Sequence, residues 1–83
     1  MKVLYFSWVR EKIGVGKEEI CLPKSIATVE DLAVWLRGMS QGHSEALSDL
    51  SIIRIAVNQE HVRMDHLIKG DEEVAFFPPV TGG

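Results

Sequence analysis

Glu73-Val74-Ala75-Phe76-Phe77-Pro78-Pro79-Val80-Thr81-Gly82-Gly83 is the stretch of sequence that says most about the fold. Its apolar beginning predicts a last strand at residues 73–77. The two prolines then hold the chain extended and offer no backbone N–H to a sheet. Residues 78–83 therefore reach roughly 20 Å beyond the fold, at ~3.3 Å per residue. We predict a folded domain at residues 1–77 and an extended tail at 78–83.

The tail carries the first indication of function. Gly82 and Gly83 have no Cβ, so they fit a channel too narrow for any other residue. The last group of the sequence is an α-carboxylate, which this arrangement presents to another protein. The alternative is an ordinary frayed terminus, since chain ends are often frayed.

Four further strands are predicted upstream of the tail. Residues 3–9 are aromatic and β-branched and form the first, and residues 17–22, stopped by Pro23, form the second. A third strand at 52–57 is followed by a hairpin turn at Asn58-Gln59 and a short partner strand at 60–63.

One main helix is predicted between the second and third strands. Thr28 is its N-cap candidate, with Asp31 in a capping-box position. Arg37 suits the C-terminal end of the helix dipole and Gly38 suits the C′ position. Residues 44–50 form a shorter second helix. The buried face follows the spacing of Val29, Leu32, Ala33 and Leu36.

The order β-β-α-β-β-β predicts an α+β fold in which a mixed sheet of about five strands carries the main helix across one face. The first and last strands lie side by side at its centre, in parallel. Because side chains alternate along a strand, Val3 and Tyr5 point one way, and Phe6 points the other way together with Phe77. The second face then exposes an apolar patch that includes Phe6 and Phe77, which indicates a partner surface. The alternative is that loops cover it.

Composition excludes several classes of function. The chain has 83 residues, which make one domain, and its net charge of −3 argues against nucleic acid as a partner. No apolar run is long enough to span a membrane. A single cysteine, Cys21, forms no internal disulfide, which fits a reducing cytoplasm. Its apolar neighbours predict a buried, inert thiol.

Catalytic and metal-binding patterns are not legible in the sequence. His43, His61 and His66 lack metal-ligand spacing, and we expect each at the surface or in a turn. Gly14-Val15-Gly16 lacks the remaining residues of a phosphate loop. No metal, no bound cofactor and no catalytic activity of the chain on its own are therefore expected.

The residues resemble a known family. The arrangement is similar to ubiquitin-like β-grasp proteins, and residues 71–83 resemble the C-terminal signature of the small subunit of molybdopterin synthase. Phe6 followed by Arg10-Glu11 resembles the N-terminal motif of that family, and Val57-Asn58-Gln59 resembles its central hairpin. The similarity extends over essentially the whole chain.

The resemblance implies a sulfur carrier. A ubiquitin-activating-type adenylyltransferase would use ATP to adenylate the Gly83 carboxylate, and sulfur would replace AMP to give a thiocarboxylate. The tail would enter the large catalytic subunit of a heterotetramer and donate sulfur to cyclic pyranopterin monophosphate in molybdenum cofactor biosynthesis. The tail residues are Pro78, Pro79, Val80, Thr81 and Gly82, and the partner-binding residues are Phe6, His61 and Phe77.

Three alternatives remain open at this point. The first is a carrier of the same fold that serves thiazole synthesis or tRNA thiolation. The second is a protein modifier that is conjugated to lysines through Gly83. The third is an interaction module whose tail does no chemistry.

Overall fold

The computed structural model of the protein describes residues 1–79. Along the chain the elements are β1 (Lys2–Tyr5), α1 (Ser7–Ile13), β2 (Lys17–Glu19), α2 (Val29–Leu36), α3 (Gln41–Ala46), a 3-10 turn (Leu50–Ile52), β3 (Arg54–Val57), β4 (Glu60–Val62) and β5 (Glu73–Phe77).

The five strands form one mixed sheet in the order β2-β1-β5-β3-β4. β5 lies in the middle and pairs in parallel with β1, which places Tyr5 beside Phe76. Its other neighbour, β3, runs antiparallel and places Arg54 opposite Phe77. The predicted α+β fold and the parallel pairing of the first and last strands are confirmed.

The core lies on one face of the sheet. The inward side chains of β1 and β5 are fully buried there together with the apolar face of α2. Burial of a Val, Leu or Phe side chain in this way stabilises the fold by about 1.5–3 kcal/mol relative to an exposed one. These residues are Val3, Tyr5, Val74 and Phe76 from the strands and Val29, Leu32, Ala33 and Leu36 from the helix.

The start of α2 is built as the sequence predicts. The hydroxyl of Thr28 accepts a hydrogen bond from the Asp31 N–H at 3.1 Å, and the Asp31 carboxylate accepts one from the Thr28 N–H at 3.1 Å. This capping box satisfies N–H groups that have no partner inside the helix.

The first strand is shorter than predicted. β1 ends at Tyr5, and the residues expected as its second half form α1. Ser7 has a φ of 52°, which turns the chain out of the sheet. Val9 is then buried at the inner face of α1, with Ile13 one turn later packed against the core. A β-like run of apolar residues therefore forms a helix, because its inner face meets the core at helical spacing.

The main helix ends at the predicted place, with Arg37 as its C-cap and Gly38 at the C′ position, but not in the conformation typical of a C′ glycine. Gly38 does not take the left-handed conformation, since the helix ends through Arg37 in right-handed geometry. The Arg37 side chain bonds a neighbouring segment, with Nε donating to the Leu47 carbonyl at 2.8 Å. Arg37 therefore also joins the end of α2 to the segment that follows α3.

Three other boundaries differ from the prediction. β2 ends at Glu19, before Pro23 is reached. The second helix begins earlier, because the Ser40 hydroxyl caps it by accepting from the His43 N–H at 3.1 Å. Residues 50–52 form a 3-10 turn, so that β3 starts at Arg54.

The hairpin at Asn58-Gln59 is confirmed. Both residues have positive φ, 50° and 70°, as a type I′ turn requires. The Asn58 side chain also accepts a hydrogen bond from the Glu73 N–H at 3.0 Å. This bond ties the turn to β5.

Two predictions of burial are wrong. Cys21 is exposed, because its neighbours Ile20 and Leu22 point to the core and alternation turns the thiol outward. His43 is only 4% exposed, whereas His61 and His66 lie at the surface as expected. Within the part of the chain that the structure describes, no helix is long and apolar enough to cross a membrane.

Candidate docking site

The face of the sheet opposite the core carries the predicted apolar patch. The alternation along β1 and β5 turns Leu4 and Ala75 to this side. Phe6 follows β1 with 47% of its surface exposed, and Phe77 ends β5 half-buried. The alternation of side chains predicted from the sequence is therefore confirmed for both faces of the sheet.

A shallow groove of about 290 Å³ runs across this face, and we call it the docking groove. It brings together the three side chains predicted to bind a partner, although they come from three separate segments. The rings of His61 and Phe77 lie 5.3 Å apart between centroids, inclined at 59°. The lining residues are Leu4, Phe6, Ala56, Gln59, His61, Glu73, Ala75 and Phe77.

Backbone hydrogen bonds fix the aromatic residues of the docking groove. The Phe6 N–H donates to the Phe76 carbonyl at 3.1 Å, which joins the end of β1 to the end of β5. Phe6 and Phe77 therefore hold their places through β1 and β5, each of which pairs with a neighbouring strand on both sides. A partner that covers the groove meets a preformed surface.

A polar network that sequence reasoning missed lies beneath β1, on the core side. The Tyr5 hydroxyl donates to Glu18 Oε2 at 2.7 Å, and His43 Nε2 lies 2.9 Å from the same oxygen. Because an ionised carboxylate only accepts, Nε2 carries a proton. Nδ1 shares a 2.7 Å hydrogen bond with Ser40 Oγ. The network links β1, β2 and α3, and no local signal in the sequence connects residues so far apart along the chain.

The network shifts the pKa values of Tyr5 and Glu18. Burial raises the pKa of Tyr5 well above its ordinary value, and the Glu18 carboxylate raises it further. Burial alone would raise the pKa of Glu18, but the hydrogen bonds from Tyr5 and His43 outweigh it and hold that pKa below its ordinary value. At neutral pH the site therefore holds a neutral phenol and a carboxylate.

The tail begins directly at the docking groove. Pro78 and Pro79 continue from Phe77 and are half-buried. Of the other predicted tail residues, Val80, Thr81, Gly82 and Gly83 lie outside the described residues. A partner seated on Phe77 would thus lie next to the start of the tail.

The side chains that line the docking groove are suited to binding a partner. It contains aromatic and aliphatic surface, one imidazole, one amide and one carboxylate. Among residues 1–79 no group of three or more His, Cys, Asp or Glu side chains is placed to hold a metal ion. The groove itself brings together no nucleophile with a general base.

A mixed five-stranded sheet with a parallel central pair and helices over one face defines a ubiquitin-like β-grasp protein. The chain belongs to the ThiS family, whose characteristic sequence it matches over residues 3–83. It is 42% identical over 83 residues to the molybdopterin synthase sulfur carrier subunit of Escherichia coli (strain K12), with 100% of this chain and 99% of that protein covered.

Two other proteins show the same similarity. The molybdopterin synthase sulfur carrier subunit of Haemophilus influenzae is 36% identical over 83 residues, which cover 100% of this chain and 99% of that protein. Among solved structures, the putative molybdopterin converting factor, subunit 1, from Pyrococcus furiosus superposes with a TM-score of 0.73 at 33% identity and covers 95% of each chain.

Proposed function

We propose that this chain is the sulfur-carrier subunit of a molybdopterin synthase. The observation that carries the proposal is the docking groove, in which Phe6, His61 and Phe77 meet directly at the start of a Pro-Pro tail. Similarity over the full length to proteins named as sulfur carrier subunits supports it.

The terminal carboxylate of Gly83 is the reacting group in this proposal. With a pKa of about 3.5 it is ionised at neutral pH, and an ionised carboxylate is a poor electrophile. A separate adenylyltransferase of the ubiquitin-activating type therefore converts it to an acyl-adenylate with ATP and releases pyrophosphate. A sulfur nucleophile then displaces AMP and leaves a thiocarboxylate, which is a soft anionic nucleophile.

The large subunit supplies catalysis. The tail, from Pro78 through Gly82, threads into its active site, and the thiocarboxylate delivers sulfur to cyclic pyranopterin monophosphate. Binding of the docking groove holds the carrier in place, so that the tail reacts as part of the complex at high effective concentration. The proposed assembly is a heterotetramer. A cytoplasmic location stays a prediction.

The decisive experiment is intact-mass analysis of the protein co-purified from its native host. The proposal expects a fraction in which one oxygen of the terminal carboxylate is replaced by sulfur, together with a co-purifying large subunit. Lysine-linked adducts through Gly83 would instead select a protein modifier. Sulfur at the terminus with thiazole or tRNA-thiolation enzymes as partners would select another pathway, and a terminus that never gains sulfur would contradict every carrier function.

A further inference from the structure

Two arginines, Arg54 at the start of β3 and Arg63 directly after β4, lie at the open end of the β3–β4 hairpin. The pairing of Ile55 with Val62 and of Ala56 with His61 fixes the register. The same register, continued by one residue, places Arg63 opposite Arg54. Both side chains are exposed, and both line a second concavity of about 290 Å³ at this edge. We call Arg54 and Arg63 the arginine pair.

Neither member of the arginine pair forms a salt bridge with another of the residues that the structure describes. The salt bridge that the structure shows among residues 1–79 joins His43 to Glu18 and includes neither arginine. Like charges directly opposite each other across two strands are destabilising. The pair also stands out against a chain whose net charge is −3. An arrangement that costs stability in the free protein indicates a charged partner.

The guanidinium of Arg54 is held in place. Its Nη1 donates to the carbonyl oxygens of Ser51 at 3.3 Å and Ile53 at 3.2 Å. A fixed guanidinium loses less conformational entropy when it binds a carboxylate, and its planar fork suits two parallel hydrogen bonds. The apolar side of the same concavity consists of Leu50, Ile53, Ile55, Val62 and Met64.

The arginine pair is continuous with the docking groove. Arg54 lies opposite Phe77 on β5, and Ala56 lies opposite His61 on β4. A protein that covers Phe77 therefore reaches the arginines without a break in contact. The occupant must combine a carboxylate for the guanidinium groups with an apolar side chain for the hollow beside them.

We propose that the arginine pair binds an acidic side chain, next to an apolar one, on the protein that covers the docking groove. This inference rests on the proposed function, in which that protein is the large synthase subunit. Charges at the rim of an interface act mainly on the association rate and on the choice of partner. The arginine pair would thus favour a large subunit with a matching acidic residue over one without it.

The test measures binding of the intact protein to the large subunit from the same organism, at low and at moderate salt. We expect the double variant Arg54→Glu and Arg63→Glu to bind about tenfold more weakly or worse at low salt, and its affinity to depend less on salt. The matched control reverses two exposed lysines on other segments, Lys12→Glu and Lys24→Glu. Both double variants lower the net charge by four, so a difference between them reflects the position of the charges and not the total charge. The lysine control should change affinity by about twofold or less.

A second variant separates binding from folding. Because Arg63 donates no side-chain hydrogen bond to the described residues, Arg63→Gln should keep or raise the melting temperature while it weakens binding severalfold. If the native protein binds the large subunit and the arginine variants bind equally well, the inference is overturned and the proposed function stands. If the arginine and lysine reversals weaken binding alike, only total charge matters and the inference also fails. If the native protein does not bind the large subunit at all, the proposed function fails and takes the inference with it.

Discussion

Phe76 and Phe77 are adjacent in sequence and have opposite roles. Phe76 is buried against the Tyr5 ring, 6.1 Å away between centroids, whereas Phe77 lines the docking groove. Strand alternation alone separates them. The pair therefore provides a variant and its control at neighbouring positions.

Phe77→Ala should weaken binding to the large subunit by about thirtyfold, because an aromatic anchor at an interface contributes roughly 2 kcal/mol or more. Its melting temperature should fall much less than that of Phe76→Ala, which empties a core position and costs about 3–5 kcal/mol. Calorimetric titration and thermal unfolding of both variants check this. A Phe77 variant with core-sized destabilisation and native affinity would place that ring in the core.

Glu18 makes the free energy of unfolding depend on pH in the acidic range. Its pKa is lowered in the folded protein, so its contribution is present above the unfolded value of about 4.3 and is lost as pH falls through the folded value. Glu18→Gln should therefore flatten the decline of the unfolding free energy below about pH 5. Urea unfolding between about pH 3 and pH 7 measures it, and an unchanged acid slope in the variant would show that Glu18 is not the group responsible.

At the scale of elements, α2 and β5 could be predicted because the signals for them are local in the sequence. The capping box at Thr28 and the spacing of apolar residues predicted α2, and the apolar run before Pro78 predicted β5. The prediction of a strand at residues 6–9 is wrong, because the aromatic and β-branched residues of this segment fit a strand as well as a helix. The turn at Ser7, with φ of 52°, has no signature in residue type. The bond from His43 to Glu18 spans 25 residues and follows only from the tertiary fold.

The contact between α1 and α3 depends on one glycine. A Cβ on Gly42 would overlap the carbonyl oxygen of Lys12 at the end of α1. Gly42→Ala should therefore push the two helices apart and destabilise the fold by about 1–3 kcal/mol. Gly70→Ala is the control, since a Cβ there has no atom within 4 Å and should change stability by about 0.5 kcal/mol or less. Equal melting temperatures for the two variants would contradict the close approach.

At the scale of the whole molecule, the predicted division into a folded domain and a tail separates stability from activity. Deletion of Gly83 should abolish molybdopterin formation in a reconstituted synthase and leave the melting temperature unchanged, because the core ends with β5.

Gly82→Ala should slow the reaction strongly at equal stability, since it adds a methyl group where a narrow channel is proposed. Native turnover in either variant would rule out the corresponding role of the tail.

The central position of β5 also decides how the molecule responds to force. A pull on the tail acts along the axis of β5, which is hydrogen-bonded to β1 on one side and to β3 on the other. The bonds of both ladders then share the load in shear and cannot open one at a time, as they would at a strand peeled from an edge. If the tail works in a narrow channel as proposed, this arrangement lets the sheet withstand the force of drawing the tail out of that channel after each cycle.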